Sequence, residues 1–192
     1  MIRKLLISSS SFLLPNHPAW NLLAKKFNLN FKYIGNFSQS LLLKNVNDVV
    51  VCILFISDLY DENLETNKSE NRINEINNSI INLIKKKAEI TKSPMIFAIS
   101  GWTSLNIISS VFEKPLAERM HEDFLNKLFL LQKKHSNIYI LNLDYSFSNF
   151  GAYKIFDKRN WQNHKCNWKR TLFSVEIITV WLSQWTRHTS TG

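Results

Sequence analysis

The chain carries hydroxyls, amides and carboxylates where strand ends are expected, and a late histidine beside an aspartate. Four consecutive serines, Ser8–Ser11, follow an apolar start. Gly35-Asn36, Ser57-Asp58 and Ser100-Gly101-Trp102 each close an apolar run, and Asp144 closes another. Asp157 and His164 lie in the polar stretch beyond. These residue types suit serine-nucleophile chemistry. A hydroxyl needs a base, the base an orienting carboxylate, and backbone N–H groups hold the oxyanion. In that layout Ser10 or Ser11 attacks, His164 with Asp157 forms the base pair, and Gly35, Asn36, Asp58 and Gly101 line the oxyanion or substrate site.

Each residue also has a plainer use. Serines after a first strand serve as turn or helix-cap residues. Gly35 permits a turn, and the sequence Asn163-His164-Lys165 suits an exposed loop. The sequence offers no metal-ligand spacing, no P-loop and no dinucleotide fingerprint. With only four glycines, dinucleotide binding is disfavoured, and no cofactor is expected.

To bring such residues together, the chain needs a sheet with its strand ends on one rim. The organising stretch is Val49–Ile56, eight apolar residues without a polar break, mostly β-branched. That pattern predicts a strand buried on both faces, as in parallel sheets. Further strands are predicted at Arg3–Ser9, Phe31–Ile34, Met95–Ser100 and Ile138–Leu143. Helical spacing is found over Ala19–Phe27, Glu70–Ile90, Pro115–Lys134 and Thr171–Trp185, with a short helix or turn over Ser38–Leu43. Strand and helix alternate. The expected fold is therefore α/β, a three-layer sandwich with a five-stranded, mostly parallel, doubly wound sheet of flavodoxin-like type. Ligands of such sheets bind at the carboxyl ends of the strands.

At 192 residues, with 45% hydrophobic and 12% aromatic residues, the chain reads as one globular domain with a frayed tail over 186–192. Of the two cysteines, Cys52 is expected to be a small core hydrophobe, and Cys166 lies in a polar segment. A reducing compartment fits, and a cytoplasmic location is expected. No apolar run approaches the ~20 residues of a membrane span, and the serine run argues for a strand rather than a signal peptide at the start. The net charge is +9, with Lys158, Arg159, Lys165, Lys169 and Arg170 concentrated late. A solvated basic face is the plain reading; docking of an acidic partner is the sharper one. No nucleic-acid motif accompanies the charge.

The order of certain short segments is similar to the N-terminal domain of FkbH-type proteins. They are Ile7-Ser8-Ser9-Ser10-Ser11-Phe12, then Tyr33-Ile34-Gly35-Asn36-Phe37-Ser38-Gln39, then Asp48-Val49-Val50-Val51. Late in the chain, Ile140-Leu141-Asn142-Leu143-Asp144 and Phe156-Asp157-Lys158-Arg159-Asn160-Trp161 resemble that domain's closing segment. The resemblance implies an SGNH-hydrolase-like fold. It also implies an association with a haloacid-dehalogenase-type domain that loads glyceryl units onto an acyl carrier protein, a second domain expected to be absent from this chain. An acidic carrier would be met by Lys158, Arg159, Trp161, Lys165, Lys169 and Arg170. The Gly-Asp-Ser opening of SGNH hydrolases is replaced by the serine run, with Phe12 in the nucleophile slot. Their closing Asp-x-x-His is not matched, because Asn160 stands three residues after Asp157. The expected function is thus a non-hydrolytic accessory or carrier-docking module in secondary-metabolite or surface-polysaccharide biosynthesis. The alternative is an active SGNH-type serine esterase or acyltransferase.

Overall fold

A computed structural model describes residues 4–10, 18–34, 37–43, 48–55, 68–100 and 116–144, together with 178, 179 and 182. Five strands, β1 (Lys4–Ser9), β2 (Asn30–Ile34), β3 (Val49–Phe55), β4 (Met95–Ser100) and β5 (Ile138–Asn142), form one sheet. The strand order is β2-β1-β3-β4-β5, and among the described residues every neighbouring pair is parallel. The connecting helices are α1 (Pro18–Phe27), α2 (Phe37–Leu42), α3 (Lys68–Ile90) and α4 (Leu116–Lys134).

All seven residues of β3 are buried. Its alternate side chains feed two separate cores, as the pleat requires. Val49, Val51, Ile53 and Phe55 face α1, with Trp20 and Leu23, and also Ile178 and Leu182. Val50, Cys52 and Leu54 face α2–α4, with Phe37, Ile84, Phe124 and Leu128. Cys52 is a buried free thiol, as its apolar neighbours in sequence predict. At about 25 cal/mol per Å² of apolar surface, a strand buried on both faces contributes more than any edge strand. β5 is an edge strand, and only Ile138 of its five residues is fully buried.

The layers follow from right-handed crossovers. Passing from β1 to β2 moves the chain one way along the sheet, and the later crossovers move it the other way. The helix of the first crossover therefore packs on one face, and α2, α3 and α4 pack on the opposite one.

Local signals set the helix ends. Pro18 occupies the first position of α1, where a missing N–H costs nothing. α1 stops at Asn28, whose φ of 52° is left-handed. Leu29 then donates its amide to the Ala24 carbonyl (2.8 Å) and Asn28 to that of Lys25 (3.4 Å), the paired bonds of a Schellman cap. α3 begins two residues before the apolar spacing predicts, at Lys68. The last predicted strand ends one residue early, because Leu143 and Asp144 already turn helically. Of the predicted helix over 171–185, Ile178, Thr179 and Leu182 are helical, and the rest lies outside the described residues.

Candidate functional site

A 2-1-3-4-5 sheet has its switch point between β1 and β3, where the chain leaves toward opposite faces and the strand ends part. Ser10 sits there, one residue beyond β1. Its amide donates to the Ile53 carbonyl at 3.0 Å. Its hydroxyl accepts a hydrogen bond from the Phe55 amide at 2.8 Å and donates one to the Phe55 carbonyl at 3.2 Å. The side chain thus continues the β1–β3 ladder by one step after the backbone register has ended at Ser9 and Ile53. A hydroxyl has a single proton. In this arrangement that proton points to a backbone carbonyl rather than to an imidazole.

A second pair lies farther along the same edge. Ser100, the last residue of β4, is buried and donates its hydroxyl to Asp144 Oδ1 at 2.7 Å, a charge-assisted bond. Asn142 Oδ1 accepts the Asp144 amide at 2.9 Å, the side-chain-to-backbone turn that starts the chain's exit from β5. The sequence places Ser100 and Asp144 on this rim as strand ends, but it does not pair them. No local pattern announces a contact between residues brought together only because β4 and β5 are neighbours.

Between the sheet and α2, a third set of polar groups is enclosed. The Ser40 hydroxyl donates to the Phe37 carbonyl at 2.6 Å and lies 2.9 Å from the Ser8 hydroxyl, which is 3.4 Å from the Cys52 sulfur. Ser8, Ser40 and Cys52 are fully buried. Burial pushes the Cys52 thiol up to about 11, with hydrogen bonds from Ser8 and Ser40 and the Lys87 charge acting in the opposite sense. A thiol held protonated and shut off from solvent is inert, so this cluster ties α2 to the sheet rather than performing chemistry.

Of the residues given a catalytic, oxyanion, substrate or partner-binding role from the sequence, Ser10 is the one within the described residues. Ser11, Gly35, Asn36, Asp58, Gly101, Asp157 and His164 lie outside them, as do Lys158, Arg159, Trp161, Lys165, Lys169 and Arg170. Among the described residues no three His, Cys, Asp or Glu side chains gather to hold a metal ion. No described helix is long and apolar enough to cross a membrane.

Fold and edge together define an all-parallel α/β domain of flavodoxin-like strand order, with its polar groups at the carboxyl edge. Among solved structures the chain is similar to the N-terminal part of the protein BF1531 from Bacteroides fragilis, a crystal structure described as containing a phosphatase domain complexed with Mg. The TM-score is 0.69 at 12% sequence identity, and the likeness spans 92% of this chain and 49% of that one. At that identity the likeness is one of fold, and this chain spans about half the length of its neighbour. No family model and no curated protein matches the sequence.

Proposed function

We propose that the chain is a non-hydrolytic accessory domain of the FkbH-type kind, working beside a haloacid-dehalogenase-type phosphatase domain. In this reading it docks an acidic acyl carrier protein while a glyceryl or related acyl unit is loaded, in secondary-metabolite or surface-polysaccharide biosynthesis. The observation that supports the reading is the fold likeness to about half of a chain described as containing a phosphatase domain. The order of the FkbH-like segments supports it independently.

The commitment of the Ser10 hydroxyl to Phe55 favours the non-hydrolytic form over an esterase. Electrostatic docking falls to the late basic run, with Lys158, Arg159, Lys165, Lys169 and Arg170 meeting carboxylates and Trp161 offering apolar area. The test is binding of acyl carrier proteins to the full chain at low and high salt. Affinity is expected at low salt, weakening as salt rises, and lost on reversing Lys158, Arg159, Lys169 and Arg170 to glutamate. Absence of binding at low salt overturns the docking role. Ester turnover abolished by Ser11→Ala and His164→Ala would replace the proposal with the esterase reading.

A further inference from the structure

A buried lysine fixes one corner of the helical layer. Lys87, in the last turn of α3, is 1% exposed, and its ammonium donates to the carbonyl of Leu43, just past the end of α2. The last carbonyls of a helix lack partners within it and carry the negative end of its dipole. Lys87 meets that end from beneath and locks α2 against α3.

The locked corner holds apolar side chains in water. Leu42 is 70% exposed, Leu43 41% and Ile90 76%. Ile90 follows Lys87 by three residues, one turn on, and stands at the solvent rim of the face that Lys87 turns inward. Scattered exposed leucines need no explanation. Leu42 and Leu43 stand at the end of α2 and Ile90 at the end of α3, two helices that pack together and are tied by Lys87, and large apolar groups exposed at one such corner mark a contact surface.

The patch is set among cations. Lys86 and Lys92 are exposed beside Ile90, whereas Glu89 is engaged by Lys85 at 4.0 Å. α3 and α4 pack together and both return from the carboxyl edge, so Lys133 and Lys134 close the same end of the layer. Lysines in last turns answer the helix dipole, but the dipole gives no reason for exposed leucines.

We infer that this corner docks an acidic amphipathic helix of a partner protein. The partner's apolar stripe covers Leu42, Leu43 and Ile90, while its flanking carboxylates meet Lys86 and Lys92. A second copy of this chain is disfavoured, because a basic corner on a protein of net charge +9 repels its like. The surface lies where β3 and β4 begin, at the opposite end of the sheet from Ser10 and Ser100. It uses none of the residues of the late basic run proposed for carrier docking.

The probe is a synthetic helical peptide with a leucine stripe flanked by glutamates, titrated against the full chain. A peptide of identical stripe flanked by lysines is the control. The glutamate peptide is expected to bind and to weaken with salt. The double variant Leu42→Ser/Ile90→Ser should reduce its affinity about tenfold or more. Leu22→Ser, at a 69% exposed leucine of α1 on the other face, should leave it unchanged. These positions are exposed, so unaltered thermal melting is the check that the variants still fold. Equal binding of both peptides, or undiminished binding by the double variant, overturns the inference. So does failure of wild type to bind the glutamate peptide. Anionic phosphatidylglycerol vesicles captured by wild type but not by the double variant overturn it in favour of a lipid surface. Carrier binding is measured on Leu42→Ser/Ile90→Ser in parallel and is expected to be unchanged, because the two proposals rest on different residues and so fail separately.

Discussion

Ser10 and Phe55 are joined by two hydrogen bonds through one side-chain oxygen, which accepts from the Phe55 amide and donates to the Phe55 carbonyl. The residues stand 45 apart in sequence, at the parting of β1 and β3. The hydroxyl does there what a further ladder residue would do.

Ser10→Ala is therefore expected to destabilise the fold. It removes the Ser10 hydrogen bonds to both backbone groups of a buried residue, at a cost of about 1–3 kcal/mol. At this chain length that lowers the melting temperature by about 2–4 °C per kcal/mol. Thermal melting monitored by circular dichroism reads the change, and a variant as stable as wild type would sink the account.

The Ser100–Asp144 bond should appear as a coupling. In a double-mutant cycle of Ser100→Ala and Asp144→Ala, the interaction energy is expected at about 1–2 kcal/mol. Urea unfolding of the four proteins measures it. Strict additivity would mean that the 2.7 Å contact contributes nothing.

Alkaline stability is set by two opposing groups. The Cys52 thiol is raised from 9.0 to about 11 by burial, so above pH 9 the unfolded chain has lost a proton that the folded chain retains. Stability then falls as pH rises through that window, by about 1.4 kcal/mol for each pH unit crossed. Lys87 behaves oppositely. Burial holds its ammonium below the ordinary 10.5, so folded Lys87 loses its proton first, and stability rises with pH up to that value. Cys52→Ala should remove the falling limb and Lys87→Met the rising one in urea unfolding between pH 7 and 11. An unchanged alkaline slope in Cys52→Ala contradicts this assignment.

The left-handed cap at Asn28 makes a sharper comparison. Asn28→Gly keeps the cap and should stay within about 1 kcal/mol of wild type. Asn28→Val places a β-branched residue at φ 52° and should cost about 1–2 kcal/mol more. Chemical denaturation of both variants decides it.

The frame of the fold is legible where it depends on local pattern. The unbroken run from Val49 announces a doubly buried strand, and all seven residues of β3 are buried. Met95–Ser100 appears with its predicted bounds. Contacts that depend on strand order are not legible. Nothing near Ser10 in sequence shows that Phe55 will be its neighbour, and nothing near Ser100 points to Asp144. Lys87 escapes notice for a different reason. It looks like one more solvated lysine after Lys85 and Lys86, yet it follows Ile80 and Ile84 at spacings of seven and three. Helical phase alone turns it inward.

The strand order also fixes a sequence of events at the ribosome. β1 and β2 can pair as soon as residue 34 has left the exit tunnel. Thereafter β3, β4 and β5 emerge in the order in which they line up along one side, β3 adding to the free margin of β1, β4 to β3 and β5 to β4. The nascent sheet thus grows outward in a single direction, and no strand must be inserted between two already joined. Its advancing margin stays open for the time needed to translate one crossover, and that is the interval in which a nascent chain of this kind needs shielding from its neighbours.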